Sequence, residues 1–420
     1  MYSYKVKDFS FSNENETVKK KKTWIKYVIA ITLLCCVLAS TFVPNFLLHY
    51  ASSNKYHPQK HRFASDLKHI LIWTTTEDHS YFEHNEGQKD FVRQQCPIYN
   101  CYISYNKTLL RGDVRNYDAV IVDIREVLKT YMLKPHPVFQ RSPHQVYVFH
   151  ALEASTKYSI CNPNLDHFFN WTWSYKLNSD IPHPFFNIHN LKREIIGPKI
   201  NITWLDKLKH DSRNKDLIKR KTKSVAWLLT ECSSKVLHEK FVNQFQAELA
   251  NYNYTLDVYG ACGHQSCSEK GKFKCYKMIE KNYFFSLVTE EINCEDWVTD
   301  KIINTLNHIS IPIVVGRANY SSFLPPGSYI DAKAHTMKEL VGIMNYLMTY
   351  PDTYSFFFDW KNHYYYTPRP KNYLCDLCSK LNEHYEPQSL GDMRKWWNPN
   401  YNKRCAAMND PFLEADYDQL

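Results

Sequence analysis

The sequence predicts an α/β protein made of two halves, preceded by one transmembrane helix. Three observations lead to this reading. From Asn282 to Asp331 an apolar run, a charged turn, a helix and a second apolar run succeed one another, which is the order of a β-α-β unit. Short β-rich runs alternate with helical stretches on both sides of a polar segment, Asp211 to Lys223. Val28 to Leu48 is apolar with almost no polar interruption, and about 20 such residues cross a bilayer.

The elements follow in order. Residues 1–27 read as a cytosolic tail, with seven lysines (Lys5, Lys7, Lys19 to Lys22 and Lys26) against Asp8, Glu14 and Glu16. Positive charge before a span holds the short N-terminus in the cytosol and sends the rest across. Small residues at Ala39-Ser40-Thr41 and Ala51-Ser52-Ser53 would suit a cleaved signal peptide. The basic region is long for that, and the apolar run exceeds the usual ~7 to 15 residues of a signal core, so 28–48 is read as a type II anchor. Residues 49–65 are polar and aperiodic, a short stem.

A first α/β half is assigned to 66–210, with strands at His69 to Thr74, Ala119 to Val122 and Gln145 to His150. A second occupies 222–365. It opens with the strand Val225 to Leu229, a helix near Val236 to Leu249, and the strand Leu256 to Tyr259 ending in Gly260-Ala261-Cys262-Gly263. Then come the strand Phe284 to Val288, a helix at Asp300 to Asn307, the strand Ile311 to Val315 before Gly316, and the loop Pro325-Pro326-Gly327. Met337 to Met348 forms an amphipathic helix with Leu340, Met344 and Leu347 on one face. Residues 366–420 form a C-terminal extension with a C-x-x-C at Cys375 and Cys378. In open α/β sheets ligands sit beyond the carboxyl ends of the strands, against helix N-termini whose free N–H groups suit phosphate. Glu290, Trp297, Asp300 and Lys301 fall there.

At 420 residues, with 44% hydrophobic and 15% aromatic residues, the chain is not a disordered protein. Its formal charge of +9 is partly local to the tail, so no nucleic-acid partner is demanded. Of 13 cysteines, Cys35 and Cys36 lie in the span, leaving 11 for an oxidising lumen and, the count being odd, at least one free thiol. Sequons at Asn106, Asn170, Asn201, Asn253 and Asn319 need a secretory compartment to matter; Asn15 would face the cytosol. Zinc at the C-x-x-C lacks a second ligand pair at finger spacing. Cys96, Cys101, Cys161, Cys262, Cys267, Cys275 and Cys405 are candidate disulfide partners. The dense aromatics Phe168, Phe169, Trp171 and Trp173 read as core packing on a strand-like run rather than a sugar platform. Tyr364-Tyr365-Tyr366 admits either reading.

The unit from Asn282 to Asp331 resembles the donor-binding segment of the α1,3-fucosyltransferases (glycosyltransferase family 10). Glu290, Cys294, Asp296, Thr299, Lys301, Pro312, Gly316, Asn319, Tyr320, Phe323, Pro325 and Ser328 match that pattern in order and spacing. HALEAS with HFFNWTWSYKLNSD, and KTKSVAWLLTEC through LDVYGACG, extend the likeness over most of Gln145 to Cys378. The resemblance implies the GT-B arrangement, two Rossmann-like domains facing across a cleft. It also implies a structural C-x-x-C with each cysteine disulfide-bonded, and an inverting transfer of L-fucose from GDP-β-L-fucose to a hydroxyl of an N-acetylglucosamine or glucose residue, in α1,3 linkage.

On this resemblance Glu153 matches the catalytic base. Lys301, with His238 or Lys240, holds the diphosphate, and Glu290, Trp297 and Asp300 shape the donor pocket. Departures are Ala154-Ser155 for Ser-Pro, Trp297 for Tyr, Asp300 for Glu, Glu291 for Asn, and His238 and Asn304 where arginines are common. Arginine offers phosphate a permanent bidentate charge that neutral histidine lacks, so the second reading is a non-catalytic membrane-anchored homologue that binds glycans or partner transferases. The one Asp-x-Asp, Asp416-Tyr417-Asp418, lies in the acidic tail, so no metal is expected to be obligatory and a divalent cation is at most a stimulant. G-x-S-x-G, H-E-x-x-H and P-loop motifs are missing from the sequence. The expected partners are GDP-fucose, a glycan or glycoprotein acceptor and the Golgi membrane, with room for a homodimer through the anchor or stem.

Overall fold

Fully apolar runs make the centre of each half, because a parallel strand covered on both faces needs no polar side. The computed structural model describes residues 66–73, 85–131, 142–206, 208–210, 214–229, 238–260, 263, 267, 272–290, 292, 294–368, 373–383 and 389–409, with residues 24, 26 and 32. The predicted anchor and stem lie outside this set, apart from Thr32. Among the described residues no helix is long and apolar enough to cross a membrane.

The first sheet is wholly parallel. It consists of β1 (Lys68–Trp73), β2 (Cys101–Ser104), β3 (Ala119–Asp123), β4 (Val146–Ala151), β5 (Trp171–Ser174) and β6 (Ile181–Pro182), in the order β2-β1-β3-β4-β5-β6. Period-two alternation divides its side chains between two cores. Ile70, Ile72, Ala119, Ile121, Val146, Val148, Trp171 and Trp173 face one way. Leu71, Val120, Val122, Tyr147 and Phe149 face the other.

The far C-terminus covers both faces. Leu374, Leu377, Cys378 and Leu381, from the helix Leu374–Asn382, close the first core, while Met393 and Trp397, from the helix Met393–Trp397, enter the second. The segment read as a C-terminal extension is thus built into the first half. Disulfides Cys96–Cys375 and Cys101–Cys378 fix the first of these helices, and Cys161–Cys405 ties the end of the chain. Both cysteines of the C-x-x-C are in disulfides, as the resemblance implies, and are not zinc ligands. Cys267 pairs with Cys275 and Cys294 is a buried free thiol. Cys262 lies outside the described residues.

A small antiparallel sheet joins distant parts of the chain. Its strands are β7 (Phe186–Asn190) and β8 (Ile195–Gly197), and the later strand Tyr364–Pro368 pairs with β7, so that Tyr366 faces Ile188. The tyrosine triplet is therefore strand: Tyr364 and Tyr366 are buried and Tyr365 is exposed.

The second sheet contains β9 (Lys223–Leu229), β10 (Leu256–Gly260), β11 (Tyr283–Thr289), β12 (Ile311–Val315) and β13 (Ile330–Asp331), all parallel in the order β10-β9-β11-β12-β13. β14 is the strand Tyr364–Pro368. Helices Glu239–Ala250 and Met337–Thr349 pack on one face through Val242, Phe245, Leu249, Leu340, Met344 and Leu347. The second helix starts with a capping box, Thr336 with Glu339. Glycine is required at 260: φ is +97°, and a Cβ there would lie 1.9 Å from the Leu229 carbonyl oxygen.

Candidate active site

Because each large sheet is parallel, all its strands end on one edge, and the loops leaving those two edges touch. Cys294 Sγ lies 2.9 Å from Thr156 Oγ1, which follows β4. Leu177 N donates to Asp296 Oδ2 at 3.0 Å, and Lys176 Nζ lies 3.0 Å from Glu295 Oε2; both partners follow β5. Trp297 stands edge-on to Tyr175 and to Phe185, with ring centroids 4.8 Å away in each case. The loop after β11 therefore docks on the carboxyl edge of the first sheet. Asp296 makes the sharp turn that allows this, with φ +56°, a conformation acidic and amide residues tolerate better than most. Burial raises the Asp296 carboxyl pKa, against the opposing pull of the Leu177 N–H.

On the second sheet, the residues assigned to the donor occupy this edge but differ in what they do. Lys301 is the first residue of the helix Lys301–Leu306, is half-buried, and lines a small cavity of about 40 Å³ with Thr289, Tyr276 and Thr305. A space of that size holds about one water, so a nucleotide would lie outside it, beyond the strand ends. Asp300, just before the helix, is exposed, and its charge adds to burial in pushing the Tyr276 phenol up to about 12. Glu290 is buried and caps the following turn: its Oε1 accepts from Thr299 N at 2.8 Å and its Oε2 from Thr299 Oγ1 at 2.9 Å. His238 precedes the helix Glu239–Ala250; it is buried, with Nε2 2.9 Å from the Glu290 carbonyl oxygen. Lys240 and Asn304 are exposed. Glu291 and the residues between Leu229 and His238 lie outside the described set.

On the first sheet, Glu153 follows β4 and is half-buried, with Oε2 3.2 Å from Lys157 Nζ and Oε1 3.8 Å from Arg125 Nη1. Arg125 in turn pairs with Asp123 at 2.7 Å, and Asp123 with His150 at 2.8 Å. Sequence reasoning did not single out Asp123, Arg125 or His150. The available signal was a pair of charges closing the fully apolar run Ala119-Val120-Ile121-Val122 at a strand-to-helix junction.

Of the five sequons assigned to the lumen, Asn106, Asn201, Asn253 and Asn319 are exposed. Asn170 is half-buried and its Oδ1 already accepts from Tyr147 N at 2.9 Å, while Thr172 is buried against Asp180. Phe168, Phe169, Trp171 and Trp173 are buried core, as expected from their alternation.

Two open parallel sheets whose carboxyl edges meet, one carrying a lysine at a helix start and the other a carboxylate, define a two-sheet α/β enzyme with its binding edges turned together. The model of the fucosyltransferase N-terminal region matches residues 65–186, and that of glycosyltransferase family 10 (fucosyltransferase), C-terminal region, matches 218–396. The chain is 32% identical over 352 residues to alpha-(1,3)-fucosyltransferase C of Drosophila melanogaster, covering 81% of this chain and 80% of that one. Glycoprotein 3-alpha-L-fucosyltransferase A of the same organism is 26% identical, covering 74% of this chain and 57% of that one. A crystal structure of an alpha1,3-fucosyltransferase with GDP-fucose is 14% identical, with a TM-score of 0.42 over 78% of this chain and 95% of that one. The chain belongs to glycosyltransferase family 10, the fucosyltransferases.

Proposed function

We propose that this protein transfers L-fucose from GDP-β-L-fucose to a hydroxyl of an N-acetylglucosamine or glucose residue of a glycan, giving an α1,3 linkage with inversion. The observation that carries this reading is the relationship to alpha-(1,3)-fucosyltransferase C, which extends across both halves of the chain. The Glu153 carboxylate takes the proton of the acceptor hydroxyl as that oxygen bonds to the anomeric carbon of fucose. The bond from that carbon to the diphosphate breaks, and GDP leaves with the electron pair. Lys301 and Lys240 supply positive charge to the diphosphate. His238 and Glu290 act through the hydrogen bond between them and the cap on Thr299, which hold the β9 and β11 loops together at the donor edge. Asp300 and Trp297 border the same pocket, Trp297 with one side of its ring on Tyr175 and Phe185.

The arrangement is GT-B-like, with 66–210 on the acceptor side, 222–365 on the donor side and 366–420 completing the first. Residues 1–27, 28–48 and 49–65 are tail, signal anchor and stem of a single-pass type II Golgi protein whose exposed sequons are glycosylated. The test is transfer of labelled fucose from GDP-fucose by the full-length chain to a mixed glycan panel, with EDTA present, alongside Glu153→Gln. Labelled product that disappears in the variant supports the reading and names the acceptor. Absence of both product and stabilisation by GDP would instead favour a non-catalytic glycan-binding homologue.

A further inference from the structure

Beside Glu153, the end of the first sheet holds a buried acid–base pair. Strand register sets Asp123 opposite His150, and Asp123 Oδ2 lies 2.8 Å from His150 Nδ1 with both side chains almost fully buried. Asp123 also grips the first turn of the helix Ile124–Tyr131. Its Oδ1 accepts from Arg125 backbone N at 3.0 Å and from Arg125 Nε at 2.7 Å, and its Oδ2 from Arg125 Nη2 at 3.3 Å. A guanidinium is a rigid planar fork, so fastening Nε and Nη2 to a buried carboxylate fixes where Nη1 points. Nη1 points at Glu153, 3.8 Å from Oε1. The other oxygen of Glu153 faces the exposed Lys157, four residues on, an attachment of the kind worth little in water. Of these two cations, only Arg125 is anchored to the sheet.

We propose that Arg125 is the positioning residue for the base: the buried Asp123–His150 pair orients the guanidinium, and the guanidinium holds the Glu153 carboxylate where an acceptor hydroxyl meets the donor edge. The inference rests on the reading of Glu153 as base. Without this hold, among the described residues, the carboxylate has only the exposed Lys157 to set its rotamer, and a displacement of about 1 Å at a reacting group costs on the order of 100-fold in rate. Donor binding, which the second sheet provides, is untouched.

The experiment measures kcat and KM for GDP-fucose with the full-length chain. Arg125→Gln keeps an N–H donor for Asp123 but loses the charge and the reach. It is expected to lower kcat by about 10- to 100-fold with KM for GDP-fucose unchanged. Arg125→Lys restores a cation and is expected to regain at least about threefold in kcat over Arg125→Gln while melting at the same temperature, which separates positioning from support of the fold. A kcat for Arg125→Gln within about twofold of wild type, or an Arg125→Lys no faster than Arg125→Gln, overturns the proposal. Glu153→Gln, run in parallel, separates the two ideas. If it retains wild-type kcat, the base assignment itself fails. If it is inactive while Arg125→Gln is unimpaired, only the positioning role falls.

Discussion

Replacing Asp123 by Asn tests whether the end of the first sheet is held by charge. Burial alone would raise the Asp123 carboxyl pKa, but the hydrogen bond and charge of His150 and those of Arg125 outweigh it and bring the group down from 3.8 to about 2. Each unit of pKa is about 1.4 kcal/mol, so the ionised form adds about 2 kcal/mol to stability at neutral pH. The sign follows from the folded pKa lying below the unfolded one: the contribution is fully present above about pH 4 and is lost as the pH falls toward about 2. Asn is close in shape to the protonated acid. Asp123→Asn is therefore expected to be about 2 kcal/mol less stable than wild type at pH 6, with the gap closing by pH 2. Urea denaturation of both proteins from pH 7 to pH 2, with disulfides kept oxidised, measures it. A gap that persists unchanged at pH 2 would mean that the aspartate acts through shape rather than charge, and no gap at pH 6 would refute the network.

Two other perturbations separate structure from chemistry. Cys96–Cys375 and Cys101–Cys378 close loops of nearly equal length, with sequence separations of 279 and 277, so either pair alone keeps the loop closed. Changing one pair to Ala should cost little from chain entropy, whereas changing both should cost about 5 kcal/mol; thermal melting that shows a single pair as costly as both would contradict this. Trp297→Ala removes the ring packed on Tyr175 and Phe185 and should destabilise the protein without any ligand by about 2–3 kcal/mol, less than the ~3–5 kcal/mol of a fully buried aromatic because Trp297 is half-buried. A variant with unchanged melting and a raised KM for GDP-fucose would assign Trp297 wholly to the donor.

The elements read most easily in the sequence were those buried on both faces. Ile311–Val315 was placed to the residue, and Lys223–Leu229 and Tyr283–Thr289 within a residue or two, because an uninterrupted apolar run has few other uses. Strands at the margin were missed. Cys101–Ser104 is short, and Phe186–Asn190 is half polar and pairs with Tyr364–Pro368 across nearly the whole second half, a contact that no local pattern encodes. The same limit hid the packing of Leu374 and Trp397 on the first sheet. For the site, the family pattern named Glu153, Glu290 and Lys301 as candidates. It could not show that Glu290 is occupied with Thr299, that His238 bonds to the Glu290 carbonyl, or that Arg125, held by Asp123, faces Glu153, since each is a matter of side-chain direction between strands.

The dependence of the first sheet on the end of the chain bears on how the protein is made. Its two faces are completed by Leu374–Asn382 and Met393–Trp397 and locked through Cys375, Cys378 and Cys405. A ribosome delivering residues in order thus completes the second sheet while the first still exposes Ile70, Trp171 and Phe149 to water. The half that is synthesised first is finished last. A stop codon between about residues 369 and 373 would spare the sequence of every strand and of every residue assigned to catalysis, yet remove the two helices that complete the faces of the first sheet. Such a product would be a substrate for chaperones and proteases rather than a weakened enzyme.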